Sequence, residues 1–366
     1  MLRVGILTIF DNNNIGNRLQ NYALQLTLGK YACQVVTVKN KPYYSAKSRI
    51  LRRLPVAESV LFNRLLGMNK RAALVRFTNQ YIPSSIGSYW YDLPDEELKR
   101  SDVCNLYCAG SDQVWSPACG RTGMFNYLGF ADRDRTFSYA ASFGVNEIPE
   151  EHKDAVRKGL EHIKYISVRE DAGKRIVEEL TGRMDVQVLV DPTMLLTMEE
   201  WDKIAQKPKQ KLPDRYLLTY FLGDVPPERR AAIQRQAEQM NCAVIDLMDK
   251  DGPFYVSGPG EFVYLIAHAD LICTDSFHGS VFSFLYQRSL AIFDRKGEGD
   301  SMASRLETLC NKFHLHCCLV EGNELPEIPE KPDYSEGRLI LEQERAKSKA
   351  FLDMVFKEAE RAGLCD

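Results

Sequence analysis

Long apolar runs are missing from this sequence. No stretch approaches the ~20 consecutive apolar residues that a transmembrane helix needs. The opening run, MLRVGILTIF, gives way to Asp11 and three asparagines, with no small-residue cleavage site behind it. A membrane-spanning or secreted chain is therefore not expected, and the cytoplasm is the expected location. Cysteine pairs are missing too. The ten cysteines are scattered without a C-x-x-C motif, and Cys104, Cys108 and Cys273 sit inside apolar runs. That usage argues against a zinc ribbon or a disulfide framework and for reduced core thiols, so no metal site is expected. An excess of positive charge is also absent. The formal net charge is −3, which gives no reason to expect a nucleic-acid partner.

What is present is alternation. Short Val/Ile/Leu-rich runs (RVGILTIF, CQVVTVKN, DVCNLYCAG, RTFSYAASFG, YISVRE, VQVLVDPT, then RYLLTYFLG, CAVIDLM, DLICTDS and SLAIFDR) are separated by helical patterns. Continuous apolar strands alternating with helices signify parallel sheets covered on both faces. The stretch LTMEEWDKIAQKPKQKLPDRY interrupts the pattern with charge and two prolines, so a domain boundary is expected near residues 197–213. The expected fold class is α/β, with two Rossmann-like domains facing a cleft. Domains are expected at residues 1–200 and 212–330, with an amphipathic helix at 335–364 packing back on the first. In such sheets ligands sit beyond the carboxyl ends of the strands, so the loops there carry the functional reading.

Several of those loops hold residues that a plain turn does not require. DNNNIGNRLQNYALQ turns through Gly16 into a helix near Asn17, and an Asn-rich cap explains it as well as a site does. AGSDQVWSP brings Asp112, Gln113 and Trp115 together. Asp112 is either a helix cap or, with the amide and the indole, part of a surface for sugar hydroxyls and a ring face. SYAASFG, with Ser138, Ser142 and Gly144, is a strand end or a tight packing turn. SVRED places Arg169 directly after an apolar strand, where it either has an acidic partner or forks onto phosphate or carboxylate. In LICTDSFHGSVFSFLYQ an apolar strand breaks at Thr274-Asp275-Ser276, and a helix resumes with His278 in its first turn. A helix N-terminus gathers anions, so His278 is either a capping histidine or a proton donor beside a bound anion.

NIGNRLQNYALQ, GSDQVW, SYAASFG, SVRE, VDPT, YFLGD and TDSFHGSVFSF occur in an order that resembles the polysaccharide pyruvyl transferase family, from about residue 3 to about residue 310. SDQVW and TDSFHG are its most specific parts. The resemblance implies a fold like that of GT-B glycosyltransferases. It also implies transfer of a pyruvyl group from phosphoenolpyruvate to two hydroxyls of a sugar in a surface-polysaccharide precursor, giving a cyclic ketal and phosphate. On that reading His278 and Asp112 are catalytic, with Asp112 on the acceptor side in the first domain beside Asn14, Asn17, Gln113 and Trp115. Arg169, Ser276, Gly279, Arg295 and Arg305 bind the donor. Some branches of the family carry an arginine two residues before the histidine, where this chain has Ser276, so another cation is expected to replace it. No cofactor is expected beyond phosphoenolpyruvate as co-substrate. The alternative is a glycosyltransferase of the same architecture using a nucleotide-sugar donor, with Glu261 in SGPGEF serving it.

One further stretch stands apart. Lys39 to Arg76 holds ten basic residues against one acid, Glu58, with leucines interleaved. It is read either as solvated helices covering the first sheet or as a basic amphipathic surface for peripheral contact with an anionic membrane, where a lipid-linked glycan acceptor would reside.

Overall fold

A computed structural model of the chain describes residues 1–10, 14–32, 34–41, 58–90, 95, 98, 103–296, 303–325 and 333–365. The chain divides into two compact units. Unit 1 comprises residues 1–65, 78–195 and 344–366, and unit 2 residues 66–77 and 196–343.

Unit 1 is built on β1 (Arg3–Leu7), followed by α1 (Ile15–Leu28), β2 (Gln34–Lys41), α2 (Glu58–Tyr81), β3 (Ser84–Trp90), β4 (Leu106–Ala109) and β5 (Thr136–Ser138). The five strands are parallel in the order β3-β2-β1-β4-β5. After α3 (Lys153–His162) come β6 (Ser167–Val168), α4 (Asp171–Thr181) and β7 (Gln187–Val188). β6 and β7 pair with each other, and the bridges Phe137↔Tyr165 and Ala141↔Val168 join them to the edge at β5. The period of two along β4 shows why the sheet is covered on both sides. Leu106 and Cys108 enter one core cluster with Leu24, Leu28, Phe351, Leu352 and Phe356. Tyr107 and Ala109 enter the other with Val156, Leu160, Ile176 and Val177. A strand apolar on both faces is stable only between two helical layers.

Unit 2 follows from Leu196. α5 (Met198–Asp202) opens it with a capping box, in which the Thr197 side chain accepts from the Glu200 amide and Glu200 returns the bond. Its strands are β8 (Tyr216–Tyr220), β9 (Ala243–Asp246), β10 (Leu271–Thr274), β11 (Ser289–Phe293) and β12 (Leu319–Val320). They form a second parallel sheet in the order β12-β11-β10-β8-β9. The helices between them are α6 (Pro227–Gln239), α7 (Pro259–His268), α8 (Phe277–Leu285) and α9 (Ala303–Phe313). The last helix, α10 (Ser335–Arg361), begins in unit 2, and from residue 344 it belongs to unit 1. There Phe351, Leu352, Val355, Phe356 and Ala359 are buried against the first sheet, and Tyr31 stacks on Phe356 at 4.6 Å.

The change of unit falls between Leu195 and Leu196, ahead of residues 197–213, where a boundary is expected from the sequence. The return of residues 66–77, within α2, to unit 2 was not expected from the sequence. No helix among the described residues is long and apolar enough to cross a membrane. The described cysteines are all free thiols. Of the basic stretch from Lys39 to Arg76, residues 42–57, with Arg49, Arg52 and Arg53, lie outside the described residues.

Candidate active site

The strand-to-helix turn in unit 2 is organised by hydrogen bonds that its own sequence supplies. The Thr274 hydroxyl donates to the Tyr220 carbonyl at 2.6 Å and accepts from the Ser276 amide at 3.0 Å. Asp275 is fully buried and takes the Leu222 amide on Oδ1 (2.7 Å) and the Gly223 amide on Oδ2 (2.8 Å). Arg295 adds an ion pair, Nε to Oδ2 at 3.4 Å, and its Nη2 donates to the Asp275 carbonyl at 3.2 Å. Asp275 thus ties the exits of β8, β10 and β11 together. Ser276 is the N-cap of α8, its Oγ accepting from the Gly279 amide at 3.3 Å. Gly279 is required by close approach, since a Cβ there would come within 2.6 Å of Thr274 Oγ1. His278 follows as the second residue of α8, 7% exposed, with its ring edge-to-face on Phe277 at 5.3 Å. The turn fixes an imidazole in the positive field of a helix N-terminus.

Two expected donor groups are therefore already engaged. Ser276 Oγ and the Gly279 amide bond to each other, and the capping geometry is the reason. Arg295 is at the turn but is paired to Asp275, and Arg305 is buried within α9. Arg229, not singled out from the sequence, is buried in the same unit. Its Nη1 donates to the Asp294 carbonyl at 3.0 Å and Nε to Asn323 Oδ1 at 3.2 Å, and its guanidinium lies 4.7 Å from the centre of the Phe293 ring. Burial lowers its pKa against the opposing pull of Asp275 and Asp294. Nothing in PPERRAA distinguishes Arg229 from its exposed neighbour Arg230, except that only one of them faces the sheet.

In unit 1 the loop after β4 carries Asp112 with φ +74°, a backbone conformation that side-chain-bearing residues rarely adopt. It is held there by neighbours on the sheet, the Ser142 amide donating to the Asp112 carbonyl at 3.0 Å. Its carboxylate accepts from the Gln113 amide at 2.9 Å and lies 3.7 Å from Arg169 Nη2. Arg169 also donates through Nη1 to Asp191 at 2.8 Å and approaches Glu170 at 3.7 Å. Asp191 further accepts from Ser111 Oγ (2.8 Å), the Thr193 amide (3.0 Å) and Thr193 Oγ1 (2.7 Å). Glu170 takes Ser142 Oγ at 2.7 Å and the Phe143 amide at 3.1 Å. Three carboxylates thus share one guanidinium, whose pKa burial alone would lower but which Asp191, Asp112 and Glu170 together raise. Of the three, Asp112 is the most accessible, its side chain 8% exposed against 0% for the other two.

These contacts revise the reading of three residues. Arg169 was expected to clamp the donor; instead its charge is engaged by carboxylates, which would repel an incoming anion. Trp115 was expected to offer a ring face to a sugar, but it is 0% exposed. It is stacked on Tyr127 at 5.2 Å, and its indole N–H is satisfied by the Asn126 carbonyl at 3.0 Å. Asn14 is the N-cap of α1, accepting from the Asn17 amide at 3.4 Å. Asn14 is half-buried, and Asn17 is buried. Gln113 does reach the loop, lying over Gly144, whose φ of +68° and lack of a Cβ leave the amide its space. Among the described residues no group of three or more His, Cys, Asp or Glu side chains is placed to hold a metal ion.

The model of one protein family, the polysaccharide pyruvyl transferases, matches residues 14–296. The chain belongs to that family. The match takes in both loops, the one at Asp112 and the one at His278. No curated protein matches the chain. Among solved structures, a putative UDP-N-acetylglucosamine 2-epimerase from Listeria monocytogenes is similar with a TM-score of 0.50 at 10% identity, over 98% of this chain and 90% of that one. A UDP-GlcNAc 2-epimerase from Neisseria meningitidis, bound to UDP-GlcNAc, aligns at 10% identity over 98% and 94% of the two chains with a TM-score of 0.43. UGT2 of Phytolacca americana, complexed with UDP-2fluoro-glucose and pterostilbene, aligns at 12% over 98% and 100% with 0.42. At 10% identity the likeness to the Listeria protein is one of fold, and with the two parallel sheets it gives this chain an α/β fold of the GT-B type. Glu261, which a nucleotide-sugar reading would enlist, instead caps α7, accepting from the Gly258 amide at 2.6 Å.

Proposed function

We propose that the protein transfers the pyruvyl group of phosphoenolpyruvate to two hydroxyls of a sugar in a surface-polysaccharide precursor, forming a cyclic ketal and releasing phosphate. The observation that carries this reading is His278 at the head of α8, buried at the carboxyl end of a parallel sheet. An imidazolium there pairs with the donor's phosphate and delivers a proton to its methylene carbon. The carbon bearing the phosphate ester becomes cationic and is attacked by the first sugar hydroxyl. The carbon–oxygen bond to phosphate then breaks, and the second hydroxyl closes the ring. Both hydroxyl protons leave in the process, one balancing the proton given to the methylene group and the other departing with phosphate.

Asp112 serves the acceptor. It is the accessible member of the carboxylate cluster, and carboxylates that outnumber their guanidinium favour a ligand that donates hydrogen bonds, as sugar hydroxyls do. Arg169 positions it rather than binding the donor. The acid–base steps call for no metal or redox cofactor. A lipid-linked acceptor would bring the enzyme to the inner face of the membrane, with the basic stretch from Lys39 to Arg76 as its contact. Calorimetry tests the donor: phosphoenolpyruvate binds and nucleotide-sugars do not. Binding of a nucleotide-sugar alone would replace this reading with glycosyl transfer.

A further inference from the structure

Lys70 is one of ten basic residues in its stretch, but its surroundings differ from those of a solvated lysine. It lies in the segment of α2 that belongs to unit 2. There Ala73 packs on Gly258, a Cβ on that glycine being 3.3 Å from the Ala73 Cβ. The Lys70 ammonium sits 4.4 Å over the Tyr255 ring and 3.3 Å from Met248 Sδ. No carboxylate of the described residues comes within the 4.0 Å of an ion pair with it. The titratable groups facing it are Tyr255 and, through its field, Asp246 at the end of β9. Asp249 in the intervening loop is exposed and accepts from the Asp251 amide. Burial pushes the Lys70 pKa down to about 8 against the pull of Asp246. A cation held by a thioether and an aromatic face gains from any anion that reaches it.

Its location says which anion. Met248 follows β9, and β9 is separated from β10, which leads to His278, by β8 alone. Met248, which Lys70 touches, and the turn that carries His278 both follow carboxyl ends of strands in this one parallel sheet, so Lys70 stands at the same carboxyl edge of the sheet as His278. The Asp275 carboxylate in the His278 turn is consumed by Arg295 and two backbone amides. We infer that Lys70 is a second donor-binding cation of this site, taking the phosphate or carboxylate of phosphoenolpyruvate in place of the arginine absent at Ser276. This rests on the pyruvyl-transfer reading.

The test is calorimetric titration of phosphoenolpyruvate into the full chain, wild type, Lys70→Met and Lys70→Arg, between pH 7 and 9. Methionine keeps the buried stem and removes the charge. It should weaken binding by about tenfold to a hundredfold, the range of one charge-assisted hydrogen bond. Wild-type affinity should fall as pH rises through about 8, where Lys70 loses its proton. Lys70→Arg should lack that fall, which a merely structural lysine would not produce. Reductive labelling of the wild type with pyridoxal phosphate, read by mass spectrometry, should modify Lys70 and be blocked by phosphoenolpyruvate; it decides the matter if Lys70→Met does not fold. Wild-type-like binding by a folded Lys70→Met, or labelling that phosphoenolpyruvate does not block, overturns the inference and leaves the pyruvyl-transfer reading standing. If the wild type binds no phosphoenolpyruvate, both fall.

Discussion

Replacing Arg169 by methionine separates a positioning arginine from a donor clamp. The side chain is 2% exposed and is shared by Asp191 at 2.8 Å, Asp112 at 3.7 Å and Glu170 at 3.7 Å. Methionine fills much of the same volume, so the main effect is electrostatic: three buried carboxylates lose their common cation. Removing one partner of a buried ion pair costs about 3–5 kcal/mol, against a typical folding free energy of about 5–15 kcal/mol. At about 2–4 °C per kcal/mol, the melting temperature at pH 7 should drop by roughly 10 °C. The sign of the pH dependence follows from the same contacts. The variant's deficit is full at neutral pH, where the carboxylates repel one another. It shrinks as the pH is lowered, because neutral carboxyl groups no longer need the cation. Paired melting curves of wild type and Arg169→Met from pH 4.5 to 8 read this directly. A variant as stable as the wild type at pH 7, with a large loss of phosphoenolpyruvate affinity, would return Arg169 to the role of clamp.

Two other perturbations probe separate parts of the account. Asp112→Asn should slow transfer by about a hundredfold or more, as loss of a general base does, while phosphoenolpyruvate affinity by calorimetry stays within a factor of about two. Changing Arg49, Arg52 and Arg53 together to serine should abolish salt-sensitive sedimentation with anionic liposomes, each charge contributing roughly 1 kcal/mol. A wild-type protein that stays in the supernatant at low salt has no such membrane contact.

The alternation of apolar strands and helical patterns made the two parallel sheets legible, because strands buried on both faces must be apolar throughout. The capping box at Thr197 and Glu200 is equally local, and it marks the entry to unit 2 within a few residues. What escaped the sequence was decided by partners far along the chain. Arg169 looks like an anion site until Asp112 and Asp191 arrive from other loops, 57 and 22 positions away, to share it. Trp115 looks like a sugar platform until Tyr127 covers its face. Lys70 looks like one more surface charge, since nothing local reveals that its part of α2 folds with unit 2 and meets Met248 and Tyr255. The His278 turn was readable because strand, cap, imidazole and helix are consecutive.

The central claim is that His278 drives pyruvyl transfer from phosphoenolpyruvate, and phosphorus NMR of the reaction with a lipid-linked or soluble glycan acceptor tests it most directly. With wild type, the phosphoenolpyruvate resonance should convert to inorganic phosphate as the ketal methyl group appears in the proton spectrum of the glycan. With folded His278→Gln the conversion should slow by about a hundredfold to ten-thousandfold. Conversion by His278→Gln at more than about a tenth of the wild-type rate would contradict the account.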